Sequence, residues 1–203
     1  MTTLEPTSTP GFLTLPELEQ PLDYARLFGR NAPTELEIGA GRCDFLLGYA
    51  PTKPGVNFIG LERKVVILRR AVNKLRRTDI SNIVLIAAEA RHTLESYFPP
   101  ASLQAVHIYF PDPWPKKKHL RRRIIDSAMP ARLARIIAPN GFLHLRTDHE
   151  NYFRAMEEVM SGTTDFQPIS PPPDLVAVKT AFEAAFLREG KPIYHASFQR
   201  REI

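Results

Sequence analysis

The chain has 203 residues, of which 43% are hydrophobic, and a formal net charge of +5 at pH 7. This size and content are sufficient for one domain with a substantial core. A single cysteine excludes a disulfide framework and is typical of a reducing compartment, so we expect a cytoplasmic location. The longest apolar run is too short to span a bilayer, no signal peptide is visible, and the six histidines lack paired metal-ligand spacing. We therefore expect no membrane association and no metal.

Residues 1–33 are rich in Pro and Thr, and we expect a loose lead-in with one short helix near residues 22–28. Beyond them, short apolar runs alternate with longer amphipathic segments. Strands are predicted at 34–39, 56–62, 82–88, 103–110 and 141–147, and helices at 42–50, 63–77, 91–98, 121–138 and 149–161. This alternation predicts an α/β fold with a doubly wound, mostly parallel sheet, in a single domain over residues 34–203.

The pattern changes after residue 161. Prolines crowd the segment QPISPPPD, residues 167–174, and predict a loop because Pro interrupts both helix and strand. A short helix over residues 180–190 and a last strand over residues 192–200 complete the prediction.

Each of the five predicted strands of residues 34–147 is accompanied by a carboxylate at or just after its carboxyl end. These are Glu37, Glu62, Glu89, Asp112 and Asp148. In an open α/β sheet, ligands bind at the carboxyl ends of the strands. Five acids in equivalent positions therefore indicate a binding site at this edge of the sheet.

The turn after the first of these strands, GAGRCD, favours one kind of nucleotide ligand over another. Asp44 occupies the third glycine position of the dinucleotide-binding pattern, which argues against a nicotinamide cofactor. Glu37, before the first glycine, would repel a pyrophosphate and attract a cationic ligand such as S-adenosylmethionine. Glu62 is placed to accept from both hydroxyls of a ribose, and Glu89 to accept from an adenine amino group.

The segment FPDPWPKKKHLRRR, residues 110–123, has a charge of +5 by itself, and the remaining residues are neutral in sum. A local excess of this kind predicts a site for a polyanion such as RNA. The neighbouring prolines are expected to hold Asp112 rigidly. Trp114 is predicted either to cap the core or to stack on a base. We expect Cys43, His107 and His144 to be packing residues.

Several motifs together resemble one enzyme family: LEIGAG, IGLERK, YFPDPWPKKKHLRRR, LRTDHENYF and TAFE, in this order, are similar to those of the tRNA (guanine-N7)-methyltransferases. The resemblance implies a class I, Rossmann-like methyltransferase that carries a methyl group from S-adenosylmethionine to N7 of guanine(46) in the tRNA variable loop. It implies cofactor-binding residues Glu37, Gly39, Glu62, Glu89 and Asp112, the last also catalytic. It implies substrate-binding residues Lys116, Asp148, Thr180 and Glu183.

The sequence departs from the family at Cys43, at Glu89, where Asp is usual, and at Ala181, where the family has Lys. Other interpretations stay open: an amino-methyltransferase acting on another RNA base, a nicotinamide-dependent oxidoreductase, and a non-catalytic RNA-binding protein of the same fold. The sequence also leaves open whether the protein is a monomer, a homodimer or joined to a partner subunit.

Overall fold

The computed structural model describes residues 11–202. The described part of the chain forms two compact units, which divide between Pro99 and Pro100. None of the helices in the described part is long and apolar enough to cross a membrane.

The first unit contains a parallel sheet with helices between its strands. Its strands are β1 (Phe12–Thr14), β2 (Thr34–Ile38), β3 (Asn57–Glu62) and β4 (Ile83–Ala87). Its helices are α1 (Tyr24–Phe28), α2 (Asp44–Tyr49), α3 (Val65–Leu75) and α4 (Ala90–Ser96). The strands lie in the order β1-β4-β3-β2, and all the pairings within this set are parallel.

The core of the first unit follows from strands that are buried on both faces. Every residue of β2 is buried, and α3 covers the sheet with Leu68, Ala71, Val72 and Leu75. Gly60 in β3 leaves room for other side chains of the core, because a Cβ there would lie 2.8 Å from the side chain of Leu85 in β4 and 3.1 Å from that of Leu46 in α2.

The second unit contains both parallel and antiparallel pairings. Its strands are β5 (Leu103–Tyr109), β6 (Ile137–Thr147), β7 (Phe166–Ile169) and β8 (Tyr194–Arg200). Its α-helices are α5 (Met129–Ile136), α6 (Glu150–Ser161), α7 (Pro173–Ala177) and α8 (Ala181–Arg188), and a 3₁₀ helix spans Lys117–Arg122. The strands lie in the order β5-β6-β8-β7; β5 and β6 are parallel, whereas β8 is antiparallel to both β6 and β7.

The predicted α/β fold class with mostly parallel pairing is confirmed, and the five predicted strands correspond to β2 to β6. One difference is β1, which lies inside the segment 1–33 that was expected to be a loose lead-in and pairs with β4. Residues 1–10 of that segment lie outside the described residues. A strand of three residues is too short for a periodic pattern to reveal. The assignment of residues 34–203 to one domain stays a prediction.

The prediction of a loop over residues 167–174 was wrong at both of its ends. Strand β7 includes Pro168, and α7 begins at Pro173. Proline is tolerated in β7 because this strand lies at the edge of the sheet, where one side of the backbone needs no ladder partner. Proline is also favoured in the first turn of a helix, where its missing N–H would have no partner.

The predicted helix over residues 121–138 was too long, because α5 spans only Met129–Ile136. Pro130 lies in its first turn, a position typical of helix starts. Strand β6 begins at Ile137, four residues before the predicted start, and contains Asn140 with a φ of 64°. A Cβ at Gly141 would lie 2.8 Å from the carbonyl oxygen of Gln104 in β5, so the irregular part of β6 requires glycine at this position.

Candidate active site

Three acidic residues of the first unit, Glu37, Glu62 and Glu89, lie at or just after the carboxyl ends of three neighbouring parallel strands. Glu37 pairs in register with Gly60, and Ile38 with Leu61, so Gly39 falls beside Glu62 in the next strand. Glu62 in turn pairs with Ala87, two residues before Glu89. The three predicted cofactor-binding acids of this unit are therefore spread across adjacent strands, which lie about 4.8 Å apart.

The glycine turn leaves open space at this edge of the sheet. Gly39 has a φ of +80°, and no heavy atom would lie within 4 Å of a Cβ placed on it. The backbone N–H groups of Gly39 and Ala40 both donate to the carbonyl oxygen of Leu61 at 2.8 Å, which ties the turn to β3. A positive φ is easy for glycine and costly for residues with a Cβ.

The carboxylates of Glu62 and Glu89 are oriented by the backbone. Glu62 Oε1 accepts from the Lys64 N–H at 2.8 Å, and Glu89 Oε2 accepts from the His92 N–H at 3.0 Å as the N-cap of α4. Each carboxylate has a second oxygen with acceptor capacity. An open glycine turn flanked by oriented acids fits a ligand that has a cationic centre, a ribose diol and an amino group.

Asp44 and Cys43, in the same turn, have structural roles. Asp44 is the first residue of α2 and pairs with Lys74 of α3. Cys43 is fully buried, and burial, followed by the charges of Glu37 and Asp44, raises the pKa of its thiol well above the ordinary value. The expectation that Cys43 is a packing residue agrees with this environment.

Asp112 of the second unit is exposed and lies on a loop with two left-handed residues. Phe110 has a φ of 49° and Trp114 a φ of 41°, conformations that are uncommon for bulky side chains and cost energy. The Phe110 N–H donates to the carbonyl oxygen of Arg146 at 2.8 Å, and the Phe110 ring lies 5.8 Å from that of Phe186 in α8. The loop is thus anchored immediately before Asp112.

The loop is anchored after Asp112 by part of its own basic segment. Arg123 Nε donates to the Pro113 carbonyl oxygen at 2.9 Å, and the Arg123 guanidinium lies 4.5 Å from the centre of the Tyr152 ring. The Arg122 guanidinium lies 4.8 Å from the centre of the Trp114 ring. The basic segment therefore divides into arginines that hold the loop and exposed side chains available to a ligand, which are Lys116, Lys117, Lys118 and Arg121.

The predicted substrate-binding residues Thr180 and Glu183 are both buried. Thr180 is the N-cap of α8, and its Oγ1 accepts from the Glu183 N–H at 3.0 Å. The Glu183 carboxylate is 3.0 Å from the guanidinium of Arg146, with both side chains at most 3% exposed. Glu183 is therefore not an exposed helix acid. Asp148, directly after β6, is half-buried.

Arg146 is the residue of this site that sequence reasoning missed. Besides Glu183, its guanidinium donates to the carbonyl oxygens of Val178, at 2.7 Å, and of Leu175. It also lies 4.3 Å from the centre of the Tyr109 ring. The sequence does contain a sign of this role, because Arg146 is the basic residue of the predicted strand GFLHLRT, and a charge inside a buried strand needs a partner.

His107 and His144 are core residues, as predicted. Both are buried, and their rings stack at 5.3 Å. His107 Nδ1 is 2.9 Å from the Tyr109 hydroxyl, and His144 Nδ1 is 2.8 Å from the Ser197 hydroxyl. Within residues 11–202, no group of three or more His, Cys, Asp or Glu side chains is suited to a metal ion.

Known structures share the fold of this chain. A 16S rRNA methyltransferase, KamB, superposes with a TM-score of 0.58 at 11% identity, covering 88% of this chain and 93% of that one. An aminoglycoside resistance methyltransferase superposes with a TM-score of 0.53 at 13% identity, covering 83% of this chain and 87% of that one. The fold is that of the class I methyltransferases.

Sequence comparison assigns the family. Residues 31–196 match the family described as "Putative methyltransferase". A tRNA (guanine-N(7)-)-methyltransferase of Bordetella pertussis is 38% identical over 196 residues, covering 94% of this chain and 76% of the relative. Another, of Geobacter metallireducens, is 32% identical over 198 residues, covering 95% of this chain and 94% of the relative. The chain belongs to the tRNA (guanine-N7)-methyltransferase family, as its motifs indicated.

Proposed function

We propose that this protein transfers a methyl group from S-adenosylmethionine to N7 of a guanine in tRNA, at position 46 of the variable loop. The name of its relatives supports the reaction and the substrate. The observation that carries the proposal in the structure is the exposed carboxylate of Asp112, on a loop that is anchored at both ends and is followed, after three residues, by the exposed Lys116, Lys117 and Lys118.

The cofactor residues of the first unit fit the methyl donor. Bound S-adenosylmethionine would supply an electrophilic methyl group on a sulfonium. We assign Glu37 to its cationic end, Glu62 to the ribose hydroxyls and Glu89 to the adenine amino group. Gly39 leaves room for the ligand beside Glu62. The register of β2, β3 and β4 supports these assignments because it distributes the three acids along one edge of the sheet.

The transfer itself requires alignment and charge stabilisation rather than a base. Guanine N7 has an exposed lone pair and is unprotonated near neutral pH, so it is already a nucleophile. Holding it in line with the methyl group provides the main acceleration. Positive charge then develops on the guanine ring, and Asp112 stabilises that charge from a loop that needs no reorganisation.

Recognition of guanine requires an acceptor for two neighbouring donors, N1–H and N2–H2. We assign this role to Asp148, because the Glu183 carboxylate is buried against Arg146. Adenine has an acceptor at N1 and would leave the carboxylate unpaired, which strongly disfavours it. Lys116 and its neighbours bind phosphates, which position the RNA without reading its sequence. Thr180 and Glu183 stabilise the start of α8, the helix that packs against the Asp112 loop through Phe186.

The experiment that tests this function is the transfer of a labelled methyl group from S-adenosylmethionine to unmodified tRNA, followed by nucleoside analysis. We expect label in 7-methylguanosine, without added metal. Label on an exocyclic amine would instead identify an amino-methyltransferase, and tRNA binding without transfer would identify a non-catalytic RNA-binding protein. We also propose that the protein acts in the cytoplasm.

A further inference from the structure

Helix α3 and the residues that flank it carry a concentration of positive charge that the proposed site does not use. Residues 63–77, RKVVILRRAVNKLRR, contain seven basic residues and no acidic one. Together with residues 110–123 they hold 13 of the 27 basic residues, so the rest of the chain has 14 basic against 21 acidic residues. Outside these two segments the chain is therefore net negative. Positive charge is concentrated in two places rather than one.

The arginines of α3 lie on one side of the helix. The opposite side packs on the sheet through Leu68, Ala71, Val72 and Leu75. Arg69, Arg70 and Arg77 are exposed and separated by spacings that bring side chains to one side of a helix, with Asn73 between them. We call Arg69, Arg70 and Arg77 the arginine face. Arg77 continues the last turn, because its N–H donates to the Lys74 carbonyl oxygen at 3.0 Å.

The arginine face makes no ion pair within the described part of the chain. Lys74, on the neighbouring side of α3, pairs with Asp44. Among residues 11–202, by contrast, no ion pair joins Arg69, Arg70 or Arg77 to a carboxylate. A surface that serves only solubility usually intersperses both signs of charge. Three neighbouring guanidinium groups without acids form a site for a polyanion, since each matches a phosphate with two parallel hydrogen bonds.

The chemistry of α3 favours RNA over a lipid surface. A helix that lies on a membrane inserts large apolar side chains below its basic ones. Here the apolar side of α3 is already buried in the first unit, and Val66 is the large hydrophobic residue of α3 that is exposed. The 11 residues of α3 span about 16 Å at 1.5 Å per residue, a length over which several phosphates of an RNA strand are accessible.

We propose that the arginine face of α3 is a second tRNA-binding surface, which contacts phosphates outside the guanine site. This inference rests on the proposed function for the identity of the RNA. The arginine face contributes to the affinity for tRNA and not to the chemical step, because phosphate contacts position the RNA backbone and carry no base specificity. Loss of the arginine face therefore raises KM for tRNA and leaves kcat at saturating tRNA unchanged.

The test is the salt dependence of tRNA binding by the full chain with Arg69, Arg70 and Arg77 changed to Gln. Each phosphate contact contributes about 0.7–0.9 to the slope of log K against log salt, so the triple variant should lose about 2 to 3. The matched control changes Arg26, Arg132 and Arg154 to Gln. Arg26 and Arg154 are exposed and Arg132 is partly exposed, and each pairs with a carboxylate. The control removes the same three positive charges, so the change in net charge is identical.

An unchanged slope in the arginine-face variant overturns the proposal, and so does an equal loss in the control, which would show that only net charge matters. Retention of the slope when the three arginines become lysines supports it, because the positive charges remain. If the triple variant melts early, the single change Arg70→Gln is measured, with an expected loss of about 0.7–0.9. Binding to phosphatidylserine vesicles that is lost in the variant, with tRNA binding intact, overturns the proposal in favour of a membrane.

The salt-dependence test of the arginine face and the methylation assay can fail independently of each other. If the wild-type chain binds tRNA but transfers no methyl group, the proposed function fails while the slopes still report on the arginine face. If methyl transfer occurs and the variant binds with the wild-type slope, the function stands and the arginine face is only a solvated surface.

Discussion

The ion pair between Arg146 and Glu183 has consequences that the exposed surface of the protein does not reveal. Both side chains are at most 3% exposed, and Arg146 also donates to the carbonyl oxygens of Leu175 and Val178. Removing one partner of a buried ion pair costs about 3–5 kcal/mol, because the other charge stays buried. Glu183→Gln keeps an acceptor for Arg146, so its loss of stability should be about 3 kcal/mol, at the lower end of this range. Arg146→Leu also deprives two carbonyl groups of their donor, so its loss of stability should be about 5 kcal/mol or more.

These energies predict measurable melting shifts. At about 2–4 °C per kcal/mol for a chain of this size, Glu183→Gln should lower Tm by roughly 6–12 °C and Arg146→Leu by more. The double variant Arg146→Leu/Glu183→Leu should be less destabilised than the sum of the single variants, because it leaves no buried charge uncompensated. Thermal and urea unfolding monitored by circular dichroism measures all of these quantities.

The functional readout is kcat/KM for tRNA, measured at a temperature where each variant is folded. We expect a loss of roughly tenfold or more for Glu183→Gln, since the charged contact between α8 and Arg146 of β6 is lost, although the Arg146 bonds to the Leu175 and Val178 carbonyl oxygens remain. Affinity for S-adenosylmethionine should be retained, because Glu37, Glu62 and Glu89 are untouched. A Glu183→Gln protein that melts within 1 °C of wild type would refute the assigned energetics of the pair.

Four further predictions address the remaining parts of the site. Asp112→Asn should lower kcat by orders of magnitude with Tm unchanged, since the residue is exposed and its loop is anchored through Phe110 and Pro113; near-normal kcat would exclude a catalytic role. Changing residues 116–118 from Lys to Ala should lower the salt slope of tRNA binding by about 0.7–0.9 per lost contact, and an unchanged slope would make the segment a solvated surface. Glu62→Gln should weaken S-adenosylmethionine binding at least tenfold in calorimetry, with tRNA affinity serving as the control. The Cys43 thiol should resist alkylation near pH 8.5, the ordinary cysteine pKa, because burial raises its own pKa; rapid labelling of native protein would contradict this.

The candidate site shows which inferences a sequence supports. Acids at strand ends could be predicted because apolar runs mark the strands and the chain order places the acids directly after them. The family motifs could be recognised because each of them is a short contiguous segment of the sequence. The acid Glu183 was correctly located on a helix, but its partner lies 37 positions away in sequence. No local pattern indicates which buried cation will meet it.

The sequence by itself determined the alternation of strands and helices, the family, and the acids and bases available for binding, since these depend on local periodicity and on short contiguous motifs. The tertiary structure decided how those residues are used. It paired Asp44 with Lys74 and Glu183 with Arg146, and it assigned Arg123 to hold the loop of Asp112. Within residues 11–202, it also left Arg69, Arg70 and Arg77 without an ion pair to a carboxylate. These outcomes depend on which side chains packing brings within hydrogen-bonding distance, because a buried charge is tolerated only beside a partner that the fold supplies.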